Sequence, residues 1–301
     1  MSASLLSLLT CFLQLLQSAT SAASDVDWQT ARELAPGIRL HQDKLDTPRP
    51  IRRYAARIDL RQPGLRLTTT DRTDNWQQDS RETRRQTVRS FLRSERAAGR
   101  PVVLAFNADA FTPWPVPFDQ ETETNLQGFA VCRERLISPG SGSASFIRHT
   151  TGTGTMQNTP ASASADSVEV AVSGFGFCLK EGVVQPSGDD LHPRTGLGLS
   201  ADARWLVVLV VDGRRHSSAG ATTQELGQWL LELGAHDGIN MDGGGSSTLA
   251  WWNPASDKDD KAELINRPVG NGLKLLTPAA DEGFVSERAN GNNVGIWLQS
   301  P

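Results

Sequence analysis

The 301-residue sequence predicts a mixed α/β domain of the α+β kind, with β-rich sheets and a few helices. Three observations carry this. Short apolar or alternating runs, each closed by Pro, Gly, Asn or Asp, recur along most of the chain. Helical spacing is confined to a few stretches, with clear apolar faces over 79–98 and 222–233. Between Trp205 and Met241 an apolar run, a helical stretch and a second apolar run follow one another, which reads as a strand–helix–strand unit at 205–241.

The first 23 residues carry no charge. Leu5 to Leu16 is apolar and Ala19-Thr20-Ser21-Ala22-Ala23 is small, so 1–23 reads as a secretory signal peptide without the usual basic start. The run is too short for a membrane span and contains Gln14 and Gln17. The expectation is export to a secreted, periplasmic or other extracytoplasmic place. Cys11 would be lost on processing, leaving Cys132 and Cys178. In an oxidising compartment that pair is open to two readings, a disulfide or two separate buried thiols.

Residues 24–50 end in Thr47-Pro48-Arg49-Pro50 and read as an entry segment with little regular structure, ahead of a single domain over 51–301. Tyr54–Leu60 and Leu65–Thr70 flank Pro63-Gly64, the pattern of a hairpin. Val88, Phe91 and Leu92 mark the buried face of a helix within 79–98, closed by Gly99. Val102–Phe106 is a buried strand that delivers Asn107 and Asp109. The proline-stiffened loop 112–118, with Trp114 and Phe118, is either a sugar-stacking rim or packed cover. Residues 138–166 are rich in Ser, Gly, Thr and Ala, giving a flexible insertion or a string of short strands, and 168–184 reads as a meander. Thr222 and Glu225 form a capping box, Leu226, Trp229, Leu230 and Leu233 the apolar helix face, and Gly234 the end. A strand–helix–strand unit favours a parallel pair with a right-handed crossover. It would bring Asp212 and Asp242, each ending an apolar run, to one sheet edge, where site residues commonly collect.

The stretch Asn240-Met241-Asp242-Gly243-Gly244-Gly245-Ser246-Ser247 is the most informative. Three consecutive glycines lose much backbone entropy on ordering, so they mark positive φ or close approach. Beside Asn240, Asp242, Ser246 and Ser247 they suit a nest of amides for an anion or a sugar hydroxyl, or simply a tight turn. No Gly-Lys-Ser/Thr follows, so this is no Walker loop. His192, His216 and His236 lack metal spacing, and no metal site or cofactor is expected; a divalent cation on Asp212 and Asp242 is an open alternative that no motif supports. With 30 basic and 34 acidic residues the net charge of −4 points to neither nucleic acid nor a membrane surface.

This motif resembles that of the phosphodiester glycosidase family, with Arg194-Thr195-Gly196-Leu197-Gly198, Val210-Val211-Asp212-Gly213-Arg214 and Glu225-Leu226 upstream. Asn107 matches the family's asparagine after the buried strand. Leu264–Pro268 resembles its later asparagine–proline element and Arg288–Gly291 its Arg-x-x-Asn, but Val269–Ser286 intervenes, so neither Asn266 nor Arg288 is carried over. The resemblance implies an exported hydrolase that cleaves a sugar-1-phosphodiester, or cell-surface polysaccharide, at the anomeric carbon. It implies catalytic roles for Asp242, Asp212 and Glu225, although the capping box already explains Glu225. Substrate binding would fall to Asn107, Arg194, Thr195, Asn240, Gly243, Gly244, Gly245, Ser246 and Ser247. Arg194 offers a planar donor fork for a phosphate oxygen, and the two acids suit an oxocarbenium-like ring or an attacking water. Two alternatives stand beside this reading: a phosphodiesterase or other glycosidase acting on exopolysaccharide, and a non-catalytic carbohydrate-binding module.

Overall fold

The computed structural model describes residues 26–73, 76–77, 80–113, 122–271, 281 and 283–299. Residues 1–23, read above as a signal peptide, and most of the aromatic loop 112–118 lie outside the described residues. An eight-stranded sheet runs in the order Arg32–Ala35, Ile38–Leu45, Ile51–Asp59, Trp205–Val211, Arg194–Leu199, Asp237–Asn240, Gly176–Lys180, Val183–Val184. A second sheet of five strands is built on Val168–Ser173 and Ala144–His149. A third, also of five, orders Ala262–Leu264, Leu249–Trp252, Leu104–Asn107, Asn293–Leu298 and Leu65–Thr69.

Trp205–Val211 is buried on both faces, and its alternation assigns each face a partner. Leu206, Val208 and Val210 join Ile58, Phe106, Phe146 and Val172 in the main core between the sheets. Val207, Leu209 and Val211 pack with Leu226, Trp229 and Leu230 of helix α2 (Thr223–Glu232). Helix α1 (Val88–Ala97) covers the outer face of the third sheet through Val88, Phe91 and Leu92. The strand-rich α+β reading therefore holds, and α2 carries the expected capping box.

Several local expectations change. Trp205–Val211 and Asp237–Asn240 do run parallel, but each pairs antiparallel with Arg194–Leu199, which lies between them. That strand places Gly196 and Gly198 beneath the helix; a Cβ at Gly196 would lie 3.0 Å from Leu226 and one at Gly198 2.6 Å from Ala235. Without side chains on that face the strand fits under α2 where a direct parallel neighbour was expected. The predicted 54–70 hairpin is not formed. Ile51–Asp59 belongs to the large sheet and Leu65–Thr69 to the third, so the Pro63-Gly64 turn moves the chain between sheets. The unpaired edge of Leu65–Thr69 is closed by side chains: Arg148 Nη2 donates to the Leu65 carbonyl, the Leu67 amide to Glu169, and Cys132 Sγ to the Thr69 carbonyl.

Residues 24–50 also contain more structure than composition suggests, since Arg32–Ala35 and Ile38–Leu45 turn about Gly37, at φ 75°, and pair into the large sheet. The helix within 79–98 begins only at Val88, because the Thr87 side chain caps it by accepting from the Ser90 amide. The 168–184 segment is no meander: its first strand is in the second sheet and the next two are in the large one. Cys132 and Cys178 are separate buried thiols.

Candidate active site

The last residues of Trp205–Val211 and Asp237–Asn240 lie beside the start of Arg194–Leu199, with Arg194 paired to Val211 and Gly196 to Asn240. Asp212 and Asp242 thus leave the same edge of the large sheet. From Asp242 the glycine turn carries the chain across to the third sheet, which it enters at Leu249.

Asn107 joins the two sheets at this crossing. Its Oδ1 accepts from Thr195 Oγ1 at 2.8 Å and from the Thr248 amide at 3.0 Å, while its Nδ2 donates to the Asp242 carbonyl at 2.7 Å. The Asp242 amide donates to the Ala108 carbonyl and the Met241 amide to the Thr195 carbonyl. Asn107 and Thr195, both fully buried, therefore act on the turn's backbone.

The Asp242 carboxyl is buried; the Ser246 hydroxyl bonds to it, and its Oδ2 has no hydrogen-bond partner among the described residues. Burial pushes its pKa up to about 6 against the opposing pull of Ser246, Arg288 and the Gly243 amide. Arg288 Nη1 donates to Ser246 Oγ at 3.4 Å, linking cation, hydroxyl and acid. Burial lowers Arg288 to about 10, although Asp242 pulls it the other way. Three more oxygens of this stretch, Asn240 Oδ1, Ser247 Oγ and Thr248 Oγ1, are buried without a partner among the described residues. Buried polar groups are seldom left so, and their concentration here makes this turn the candidate site.

The glycines of the turn pack against backbone and, at Gly244 and Gly245, against arginine guanidinium groups. A Cβ on Gly243 would lie 4.0 Å from Arg194 Cδ and 2.9 Å from the Pro193 carbonyl oxygen. On Gly244, at φ 63°, it would lie 3.1 Å from Arg214 Nη2. On Gly245 it would lie 2.6 Å from Arg288 Nη2 and would run into the Gly270 carbonyl. The glycines are needed because guanidinium groups and backbone occupy the space of any side chain. Arg288, which acts on Asp242, and Arg214, which lies against Gly244, give this side of the turn a positive setting that suits a phosphodiester monoanion.

Asp212 is equally buried but fully engaged. Its Oδ1 accepts from Asn266 Nδ2 at 3.0 Å and from the Arg267 amide at 3.1 Å, and its Oδ2 from Tyr54 Oη at 3.1 Å. Burial raises it to about 6, with Asn266 and the Arg267 amide opposing. Asn266 Nδ2 also donates to the Ser247 carbonyl at 3.0 Å, so Asp212 braces the far side of the glycine turn. Burial likewise raises Asp109 to about 8, but its oxygens accept from the Ser173 amide and Asn292.

Arg194 and Glu225 are each held by partners other than the two acids. Arg194 pairs with neither acid: its Nε donates to the Ala221 carbonyl at 3.0 Å and its Nη2 to that of Asp190 at 3.1 Å. Glu225 is held by the helix cap and by Arg49, which donates to Oε2 at 2.5 Å. It lines a cleft of about 520 Å³ with Arg49, Asp189, Leu191 and Gln228. The sequence reading missed Asn266, Arg288, Arg214 and Tyr54. Asn266 and Arg288 lie in Leu264–Pro268 and Arg288–Gly291, whose likeness to the family's later elements was the available signal. Among the described residues no group of three or more His, Cys, Asp or Glu is arranged to hold a metal ion.

A family model described as phosphodiester glycosidase matches residues 102–276. No curated protein gives a significant match. Among solved structures, the catalytic domain of zebrafish N-acetylglucosamine-1-phosphodiester alpha-N-acetylglucosaminidase, auto-inhibited by its pro-peptide, is 16% identical with a TM-score of 0.61, covering 89% of this chain and 86% of that one. A hypothetical protein from Synechocystis is 12% identical, with a TM-score of 0.62 over 88% of this chain and 63% of the other. A Burkholderia pseudomallei protein described as exported is 14% identical, with a TM-score of 0.55 over 82% and 74%. At these identities the likeness is one of fold.

Proposed function

Because this chain belongs to the phosphodiester glycosidase family, a family of hydrolases, we propose that it hydrolyses a sugar-1-phosphodiester at the anomeric carbon. The observation that carries the reading is the turn at Asp242, an acid with an oxygen that has no partner among the described residues, followed by Gly244 and Gly245 against the guanidinium groups of Arg214 and Arg288. A phosphodiester brings one negative charge and a sugar ring to the same place. Arg214 and Arg288 take the phosphoryl oxygens; Asp242 Oδ2 takes a proton from water. The water oxygen bonds to the anomeric carbon, and the bond from that carbon to the phosphoryl oxygen breaks with its electron pair going to the phosphate. A phosphate monoester leaves, and as a weak base it needs little protonation. With its pKa near 6, Asp242 is ionised at neutral pH and still basic enough to accept the proton. Asp212 holds Asn266, and through it the turn, in place.

The uncharged apolar start of the chain supports an exported enzyme, with a cell-surface polysaccharide or an N-acetylglucosamine-1-phosphodiester as substrate; the zebrafish structure bears the latter in its name. The test is turnover of such a diester in ¹⁸O-labelled water. Label in the released sugar is the expected result. Label in the phosphate would mean that the P–O bond breaks and would replace this reading with a phosphodiesterase.

A further inference from the structure

Among the described residues five large apolar side chains are exposed: Phe175, Val183, Leu191, Phe284 and Val285. Singly such residues mean little. Three of the five, however, lie on segments that meet the chain around Asp212 and Asp242. Leu191 lies two residues before Pro193, whose carbonyl accepts the Gly244 amide, and the Phe284 carbonyl accepts from Arg215. Phe175 is the closest to the chemistry. Its amide donates at 2.9 Å to the carbonyl of Asn240, two residues before Asp242, and the next residue, Gly176, pairs with Asn240 in the sheet.

Phe175 is 61% exposed and belongs to no core cluster, whereas Phe177, two residues on, packs against the main core. Nothing in the fold requires an aromatic ring at position 175. The backbone beside it is tight: a Cβ on Gly174 would lie 2.5 Å from Ile239 Cγ2 and would strike the Asn240 carbonyl, so the chain can approach the site strand only through glycine. Beyond Phe175, a Cβ on Gly176 would meet no atom within 4 Å, so the start of this strand is open above Gly176. A pyranose has one face of C–H groups and a rim of hydroxyls. An exposed aromatic residue bound through its backbone to Asn240, whose buried Oδ1 has no partner among the described residues, offers both halves of that division.

We infer that Phe175 is the platform on which the sugar ring of the substrate stacks, making it a binding and specificity residue. The inference rests on the proposed phosphodiester glycosidase reading, and two measurements separate the two. The first is turnover of the methyl phosphodiester of N-acetylglucosamine 1-phosphate by the wild type, Phe175→Ala and Phe175→Trp. Being exposed, the position tolerates all three. The expected result is a KM about tenfold higher for Phe175→Ala with kcat within about twofold, and a KM near wild type for Phe175→Trp. The second is saturation-transfer NMR with N-acetylglucosamine 1-phosphate, expected to show transfer to the ring C–H protons that falls in Phe175→Ala. Unchanged KM and unchanged transfer would overturn the role of Phe175 and leave the hydrolase reading standing. Transfer that depends on Phe175 without wild-type turnover would keep the platform and overturn the reaction. Neither turnover nor transfer would overturn both.

Discussion

Asn266 Nδ2 donates at 3.0 Å both to Asp212 Oδ1 and to the carbonyl of Ser247, so one amide fastens a buried acid of the large sheet to the glycine turn. Asp212 accepts further from Tyr54 and the Arg267 amide. Its part in the site is to hold, whereas Asp242 keeps an oxygen without a partner among the described residues. The predictions follow from that division.

Stability should fall as pH rises through neutrality. Burial raises Asp242 and Asp212 to about 6 and Asp109 to about 8, above the ordinary 3.8. A carboxyl that binds its proton more tightly when folded contributes fully below its unfolded pKa and loses that contribution as pH rises to the folded value. At Asp281 burial pushes upward, but Ser217 and Arg215 outweigh it and leave about 2, so its contribution is lost only in acid. Thermal melts should give a higher Tm at about pH 5 than at about pH 8, and Asp109→Asn should flatten most of the slope above about pH 6. A wild-type Tm that climbs steadily over that range would contradict the assignment.

Gly245→Ala should fail where Gly188→Ala does not. The first places a Cβ against the Gly270 carbonyl and 2.6 Å from Arg288 Nη2; the second meets no atom within 4 Å. Overpacking of that kind costs roughly 1–3 kcal/mol. It should also displace Arg288, so turnover and Tm should both drop at position 245 and neither at 188.

Arg288 and Arg194 should separate in kinetics. Arg288 reaches Asp242 through Ser246, so Arg288→Met should raise KM roughly ten- to a hundredfold, the worth of a charge-assisted hydrogen bond. Losing the cation should also shift the acidic limb of the pH–rate profile above about 6, since Arg288 holds Asp242 down. Arg194 spends its fork on the Ala221 and Asp190 carbonyls. Arg194→Lys should therefore lower Tm, by about 1 kcal/mol of stability, more than it changes KM.

Glu225→Gln should mainly affect the helix. The carboxylate accepts from the Thr222 amide and from Arg49. Burial pushes its pKa up, but these two partners outweigh that and leave it low. A loss of roughly 0.5–2 kcal/mol in thermal or urea unfolding with turnover retained is expected. Abolished turnover at an unchanged Tm would give Glu225 a direct part in the reaction.

The common edge for Asp212 and Asp242 was legible because each acid ends an apolar run on either side of a capped helix. The strand between them was not, because pairing is a long-range choice that local pattern does not encode. Its glycines at 196 and 198 were visible, but their meaning depends on Leu226 and Ala235 lying above them. Pro63-Gly64 announced a turn truthfully and said nothing about which sheet the next strand would join. Asn266 and Arg288 were passed over because Val269–Ser286 separates them in sequence, although both meet the 240–248 turn in space. Arg194 was read as a phosphate donor on chemistry alone; only coordinates show that backbone carbonyls already occupy its fork.

The most direct test of the account is steady-state kinetics of Asp242→Asn on a sugar-1-phosphodiester at neutral pH. The substitution keeps the shape and removes the charge at the one carboxylate oxygen of the turn without a described partner. The account predicts that kcat falls by roughly 10²–10⁴, the usual share of a positioned general base, while KM stays within about threefold. Turnover near the wild-type rate would contradict it.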